Sequence, residues 1–277
     1  MTFCQSVGQR KSMVPMPASR FSIETRRTVM EKVNVDLLDK SAEGSASPHR
    51  LRVLVTGGTS GLGLALVDAL RARGAEVAFV ARTEARVVEV AARTGAHGIA
   101  LDVADKASTH RIAMRAHAAL GGVDLLIHAA STLGPVPLRL LGDTDCEQLE
   151  HALVTNVIGP FRLTKALLGP LTSSAREGRS PVVVHVSSDA AVNAYAEWGA
   201  YGASKAAFAH MARIWDEELR PQGVRFLAID PGDMDTPMHA AALPDADRSV
   251  LKLPSVAAEE LLEAVRRICT ELPMRAQ

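Results

Sequence analysis

From Leu51 onward the chain alternates short apolar runs with amphipathic segments, and this alternation constrains the fold more than any other feature. LRVLVT (51–56) reads as a buried strand, LGLALVDALRAR (62–73) as a helix with one apolar face, and AEVAFVA (75–81) as the next strand. Further strands are expected in GIALDV, VDLLIHAA, PVVVHVSS and VRFLAIDP. Further helices are expected over 106–120, 146–171, 201–220 and in VAAEELLEAVRRICTEL. Strands that are apolar along their whole length are covered on both faces, so the expected architecture is α/β: a doubly wound parallel sheet in three layers, α/β/α. Ligands of such sheets bind at the carboxyl ends of the strands.

The bulk numbers limit what such a chain does. Its 277 residues, 47% hydrophobic and 22% charged, fit one large domain. Basic and acidic residues balance at 31 each, with no basic stripe, which argues against nucleic acid and for a small-molecule partner. Cys4, Cys146 and Cys269 lie far apart, and no two of the nine histidines stand at metal-ligand spacing. No disulfide and no metal is expected, and a cytoplasmic protein is. No apolar run approaches the length of about 18 residues that a membrane helix needs. Residues 1–48, without an acid before Glu24 and ending in SAEGSASP, read as a poorly ordered extension preceding a catalytic domain over 49–277.

TGGTSGLG (56–63) joins the first strand to the first helix. Gly57 suits a tight turn, Gly61 lets the backbone approach a pyrophosphate, and Gly63 permits close helix packing. The helix N-terminus then offers free N–H groups and a positive dipole end to phosphates. Thr56, Thr59, Ser60 and Leu62 are assigned with these glycines to a dinucleotide. No acid ends the second strand, where one would bind a ribose hydroxyl. Arg82 stands there, with Arg86 a helical turn beyond, and a guanidinium pairs with a 2′-phosphate. NADP(H) is therefore expected over NAD(H). Asp102 either accepts from the adenine amino group or caps the following turn.

These residues, together with Asp102-Val103, Asn156, Ser188, Tyr201-x-x-x-Lys205, Pro231-Gly232 and Thr236 in this order, resemble the short-chain dehydrogenase/reductase family in its single-domain form, over about residues 51–270. The resemblance implies a Rossmann-type fold and hydride transfer between nicotinamide and a carbonyl or alcohol carbon. It implies Tyr201 as proton donor or acceptor and Ser188, 13 residues earlier, as the group that orients the substrate oxygen. Lys205 would lower the tyrosine pKa and bind the nicotinamide ribose, while Asn156 would hold a relay water through its main chain. Pro231, Gly232 and Thr236 would shape the loop around the carboxamide, and Val103, Ala129 and Ala130 the adenosine side. Elementary chemistry agrees: residues at i and i+4 share a helix face, and a phenol of pKa about 10 needs a nearby cation to ionise near neutrality.

The chain also departs from the family pattern. Where the family often has Asn-Asn-Ala-Gly after the fourth strand, this chain has His128-Ala129-Ala130-Ser131, and His128 is expected to be a satisfied sheet-end residue. The family's seventh strand is missing after the last helix, so a dimer through the helices carrying Asn156 and Tyr201 is expected in place of a tetramer. The segment 233–247 falls where the family has its mobile substrate lid, with Met234, Met238 and Leu243 as apolar lining. Ser187 should face away from Ser188, and Tyr195, near Trp198, would be a wall of the pocket. The alternatives are an NADP-binding regulator without turnover and a dehydratase or epimerase using the same tyrosine.

Overall fold

The computed structural model describes residues 50–271, so the expected extension over 1–48 lies outside the described residues. In the first strand, β1 (Arg52–Thr56), successive side chains enter two different cores. Val53 and Val55 pack with Leu66 and Leu70 of α1 (Gly61–Ala72), whereas Leu54 packs with Ile112 of α3 (Ser108–Leu120) and Leu167 of α5 (Gly159–Arg176). The same alternation runs through β2 (Glu76–Ala81), β4 (Leu125–His128) and β5 (Val182–Val186). This is why these strands show no polar face in sequence.

With β3 (His97–Ala100) and β6 (Arg225–Ile229), the strands form one six-stranded parallel sheet in the order β3-β2-β1-β4-β5-β6. Helices α1, α2 (Glu84–Thr94) and α8 (Pro254–Glu271) share one core; α3, α5 and α6 (Gly199–Leu219) share the other. The doubly wound Rossmann arrangement is thereby established. The strand order reverses between β1 and β4, the place where such sheets open a crevice.

Three expectations need correction. Between β2 and β3 only a helical turn from Arg82 to Arg86 was expected; the helix α2 runs on to Thr94 and buries Val87 and Val90. The third strand ends at Ala100 rather than at Asp102, which stands two residues beyond it. The expected helix over 146–171 is α4 (Cys146–Leu153), a π-helical turn (Val154–Ile158) and α5 running on to Arg176. Sequence chemistry explains the break. Pro160 has no N–H to give the Asn156 carbonyl, and the Gly159 N–H bonds the Val154 carbonyl instead of that of Thr155.

The opposite end of the sheet is tied by charge. Asp124, just before β4, is buried and accepts from Arg52 Nη2 (2.8 Å), Arg179 Nη1 (2.9 Å) and the Ser174 hydroxyl. It also accepts from the Arg52 backbone N–H (2.9 Å), so one carboxylate links β1, β4 and the end of α5. These contacts hold its pKa low against the opposing effect of burial.

Candidate active site

At the carboxyl ends of the strands lies a cavity of about 940 Å³. One wall is the loop after β1. Gly57 has φ 78°, and a Cβ there would come 2.8 Å from the Ala130 backbone nitrogen; a Cβ on Gly63 would come 2.2 Å from the Gly57 carbonyl oxygen. Both clashes are with backbone, so the turn closes onto its helix only with glycine at these positions. Thr56 is buried and does not reach the cavity; its Oγ1 accepts from Ala130 N–H (3.1 Å) and ties β1 to the end of β4. Gly57, Thr59, Ser60, Gly61, Leu62 and Gly63 line the cavity, as do Arg82, Asp102, Val103, Ala129 and Ala130.

Arg82 is exposed at the β2 end of this wall and forms no ion pair among the described residues. Arg86 lies beside it, its Nη2 donating to the Thr59 carbonyl (3.3 Å). Asp102 takes the capping role, accepting from Ala104 N–H (2.9 Å) through Oδ1 while still lining the cavity. The glycine cradle, the helix end behind it and a free guanidinium suit a dinucleotide with a phosphorylated ribose.

The other end of the cavity carries Ser188, Tyr201 and Lys205. Tyr201 and Lys205 lie one turn apart in α6 and both are buried. Lys205 Nζ donates to the Val186 carbonyl at the end of β5 (2.8 Å) and sits 5.4 Å from the centroid of the Tyr201 ring. Burial pushes its pKa down to about 7, partly offset by Asp230. The tyrosine moves opposite to expectation. Burial pushes its pKa up to about 12; the Ser188 hydroxyl counters this by hydrogen bonding, while Asp230, Asp189 and Asp233 add to the rise. In the protein alone, desolvation and three carboxylates outweigh whatever stabilisation the Lys205 ammonium, 5.4 Å from the ring centroid, gives the phenolate.

Asn156 does not line the cavity but holds its rim. It is 1% exposed, accepts from Thr132 N–H (2.9 Å) and Ser131 Oγ (3.2 Å), and donates to the Thr132 carbonyl and Ser204 Oγ (each 2.8 Å). Its side chain is fully engaged, whereas its carbonyl lies in the π-turn, where the usual α-helical donor is the missing Pro160 N–H. Thr155, beside it, lines the cavity.

Pro231, Gly232 and Thr236 close the remaining side. Gly232 has φ 72°, the Pro231 carbonyl accepts from Lys252 Nζ (3.0 Å), and Thr236 Oγ1 caps α7 (Pro237–Ala242) by accepting from His239 N–H (3.1 Å). Met234, Met238 and Leu243 line the cavity as expected of the lid segment. Ser187, expected to face away, also contributes to the wall.

His128 lies beneath the site rather than in it. It is buried, with Nε2 paired to Thr164 Oγ1 (2.8 Å) and no partner for Nδ1 among the described residues. Burial, then Lys205, pushes its pKa down to about 3. His185, its register partner on β5, meets the edge of the Phe208 ring and is pushed further, to about 2, by burial, Lys205 and His128.

The sequence reading missed Asp189. This residue follows Ser188 and opens the 3-10 turn Asp189–Ala191; it accepts from Ser188 Oγ (3.1 Å) and from Tyr195 Oη (2.7 Å). Tyr195 thus has a polar partner in the site, and the signal was a carboxylate directly beside the serine with a tyrosine six residues on.

The family model "short chain dehydrogenase" matches residues 52–247, so the chain belongs to the short-chain dehydrogenase family of oxidoreductases. Among similar proteins, 3-hydroxyacyl-CoA dehydrogenase type-2 of Drosophila melanogaster is 32% identical over 206 residues, covering 72% of this chain and 80% of that protein. Sepiapterin reductase of Xenopus tropicalis is 35% identical over 118 residues, 43% of this chain and 44% of that one. A solved short chain dehydrogenase from Escherichia coli CFT073, complexed with NADPH, has TM-score 0.70 and 29% identity, covering 79% of this chain and 92% of its own.

Proposed function

We propose that this protein is an NADP(H)-dependent carbonyl reductase in which Tyr201 is the proton donor. The observation that carries the reading is the convergence of Ser188, Tyr201 and Lys205 at one end of a single cavity whose other end is the glycine loop and Arg82. The loop 57–63 would hold the diphosphate, Arg82 the 2′-phosphate, Lys205 the nicotinamide ribose, and Pro231, Gly232 and Thr236 the carboxamide side. The dinucleotide, when bound, would supply the hydride.

This chain's residues perform the proton chemistry. Ser188 Oγ orients the substrate carbonyl oxygen, and the Tyr201 phenol, kept protonated at neutral pH by burial and the neighbouring carboxylates, donates to that oxygen as it becomes an alkoxide. An alkoxide is far more basic than a phenolate, so the transfer stays downhill even though the raised pKa makes the phenol a weaker acid. Lys205 beneath the ring stabilises the phenolate that remains. The Asn156 carbonyl, in a turn opened by Pro160, can bind a water that returns the proton.

The test is cofactor oxidation with a panel of ketones, aldehydes and quinones, using NADPH and NADH in parallel. NADPH is expected to be favoured at least about tenfold, and Arg82→Glu to abolish that preference by replacing a phosphate partner with a repelling charge. Equal or better use of NADH by the parent protein contradicts the assignment of Arg82.

A further inference from the structure

We infer that the substrate carries an amino group, or an equivalent N–H donor, on the carbon next to its reacting carbonyl, and that the Asp189 carboxylate receives it. This deepens the reductase reading and rests on it for the position of the carbonyl. Asp189 Oδ1 accepts from Ser188 Oγ at 3.1 Å and Oδ2 from Tyr195 Oη at 2.7 Å. A carboxylate has about four acceptor positions, so the Tyr195 bond fixes its orientation while the Ser188 bond can be exchanged, leaving capacity for a donor from the cavity, which Asp189 and Tyr195 both line. When substrate binds, the single Ser188 hydroxyl proton turns from Asp189 to the substrate carbonyl oxygen, which lies about 3 Å from Oγ and hence no more than about 6 Å from the Oδ1 so released. A substituent on the adjacent carbon spans that distance.

The charges of the wall point the same way. The guanidinium groups that line the cavity, Arg82 and Arg86, stand at the β2 end, and the Lys205 ammonium is engaged by the Val186 carbonyl. At the substrate end the carboxylates are Asp189, Asp233 and Asp230, the last also bound to Gly232 N–H (2.9 Å), against the one ammonium of Lys205 among the described residues there. A substrate carboxylate next to the carbonyl would face three like charges with Lys205 already engaged by Val186 and assigned to the ribose, whereas an ammonium would be attracted. Trp198, Met234 and Met238 leave the remainder of the substrate an apolar surface.

The experiment uses the NADPH-loaded full chain and three ketones of equal length: an aminomethyl alkyl ketone, the matching ethyl alkyl ketone and the matching β-keto acid. The expected kcat/KM for the amino ketone exceeds that for the ethyl ketone by at least about tenfold, the keto acid falling below both. In Asp189→Asn the ratio of amino to ethyl ketone is expected to drop to within about twofold, whatever the absolute rates. Equal rates in the parent protein, preference for the keto acid, or an unchanged ratio in Asp189→Asn overturns the inference. Calorimetry of the aminomethyl carbinol against the β-hydroxy acid, on NADP-loaded protein, gives a readout that needs no turnover. Amine preference in binding without reduction of any ketone would defeat the reductase reading and keep this inference. Reduction without amine preference would defeat this inference alone.

Discussion

Two neutral histidines side by side on the central strands make the fold sensitive to mild acid. Unfolding lets His128 and His185 return to the ordinary pKa of 6.5, whereas in the folded chain burial holds them at about 3 and about 2. Between pH 6.5 and these values the unfolded chain binds more protons than the folded one, so stability falls as pH falls. At pH 5 each unfolded histidine gains about 1.36 kcal/mol for each of the one and a half units below its pKa, about 2 kcal/mol. The pair therefore costs about 4 kcal/mol between pH 7 and pH 5, a large part of the 5–15 kcal/mol typical of a domain, roughly. The histidines dominate the window: Asp124 and Asp216, whose pKa values are depressed below 3.8, lose their contribution only at lower pH, and Lys205, at about 7, adds under about 1 kcal/mol at the upper edge. Urea unfolding followed by circular dichroism at the two pH values, at fixed ionic strength, measures the difference. Replacing either histidine by asparagine is expected to halve it. Equal stability at both pH values, or an undiminished loss in the double variant, refutes the reasoning.

Two further substitutions test the fold and the cradle. Asp124→Ala leaves the Arg52 and Arg179 guanidinium groups with the more exposed Glu177 in place of their buried shared carboxylate and is expected to cost about 3–5 kcal/mol in urea unfolding, whereas an exposed pair would cost under about 1 kcal/mol. Gly63→Ala places a methyl 2.2 Å from the Gly57 carbonyl oxygen, so the loop must shift. Fluorescence titration is expected to show NADPH affinity weakened by at least about tenfold, with stability lowered by about 1–3 kcal/mol.

The sheet was legible because its signal is redundant: each strand is apolar on both faces, and each residue step selects a core. Helix α2 was legible only as the turn from Arg82 to Arg86, because just Val87 and Val90 of its residues are buried. The glycines at 57 and 63 were readable because backbone contacts that forbid a Cβ leave no other residue type. Less was visible where function depends on surroundings rather than residue identity. The spacing of Tyr201 and Lys205 promised a lowered phenol pKa, but burial and the carboxylates of Asp189, Asp230 and Asp233 come from other segments. Asn156 was found by its place in the helix, yet its side chain braces Ser131 and Thr132, in the stretch where the family's asparagines are absent. The Asp189–Tyr195 bond went unread because a 3-10 turn brings together residues that no helical or strand period pairs.

The central claim is that Tyr201 delivers the proton. Tyr201→Phe removes one hydroxyl from a buried ring whose edge contact with Trp198 remains, so folding and cofactor binding should be preserved. Measured side by side, NADPH binding is expected to stay within about twofold of the parent while carbonyl-dependent NADPH oxidation falls at least about 100-fold in kcat. A phenylalanine variant that binds NADPH normally and reduces the same carbonyl at the parent rate would contradict the account.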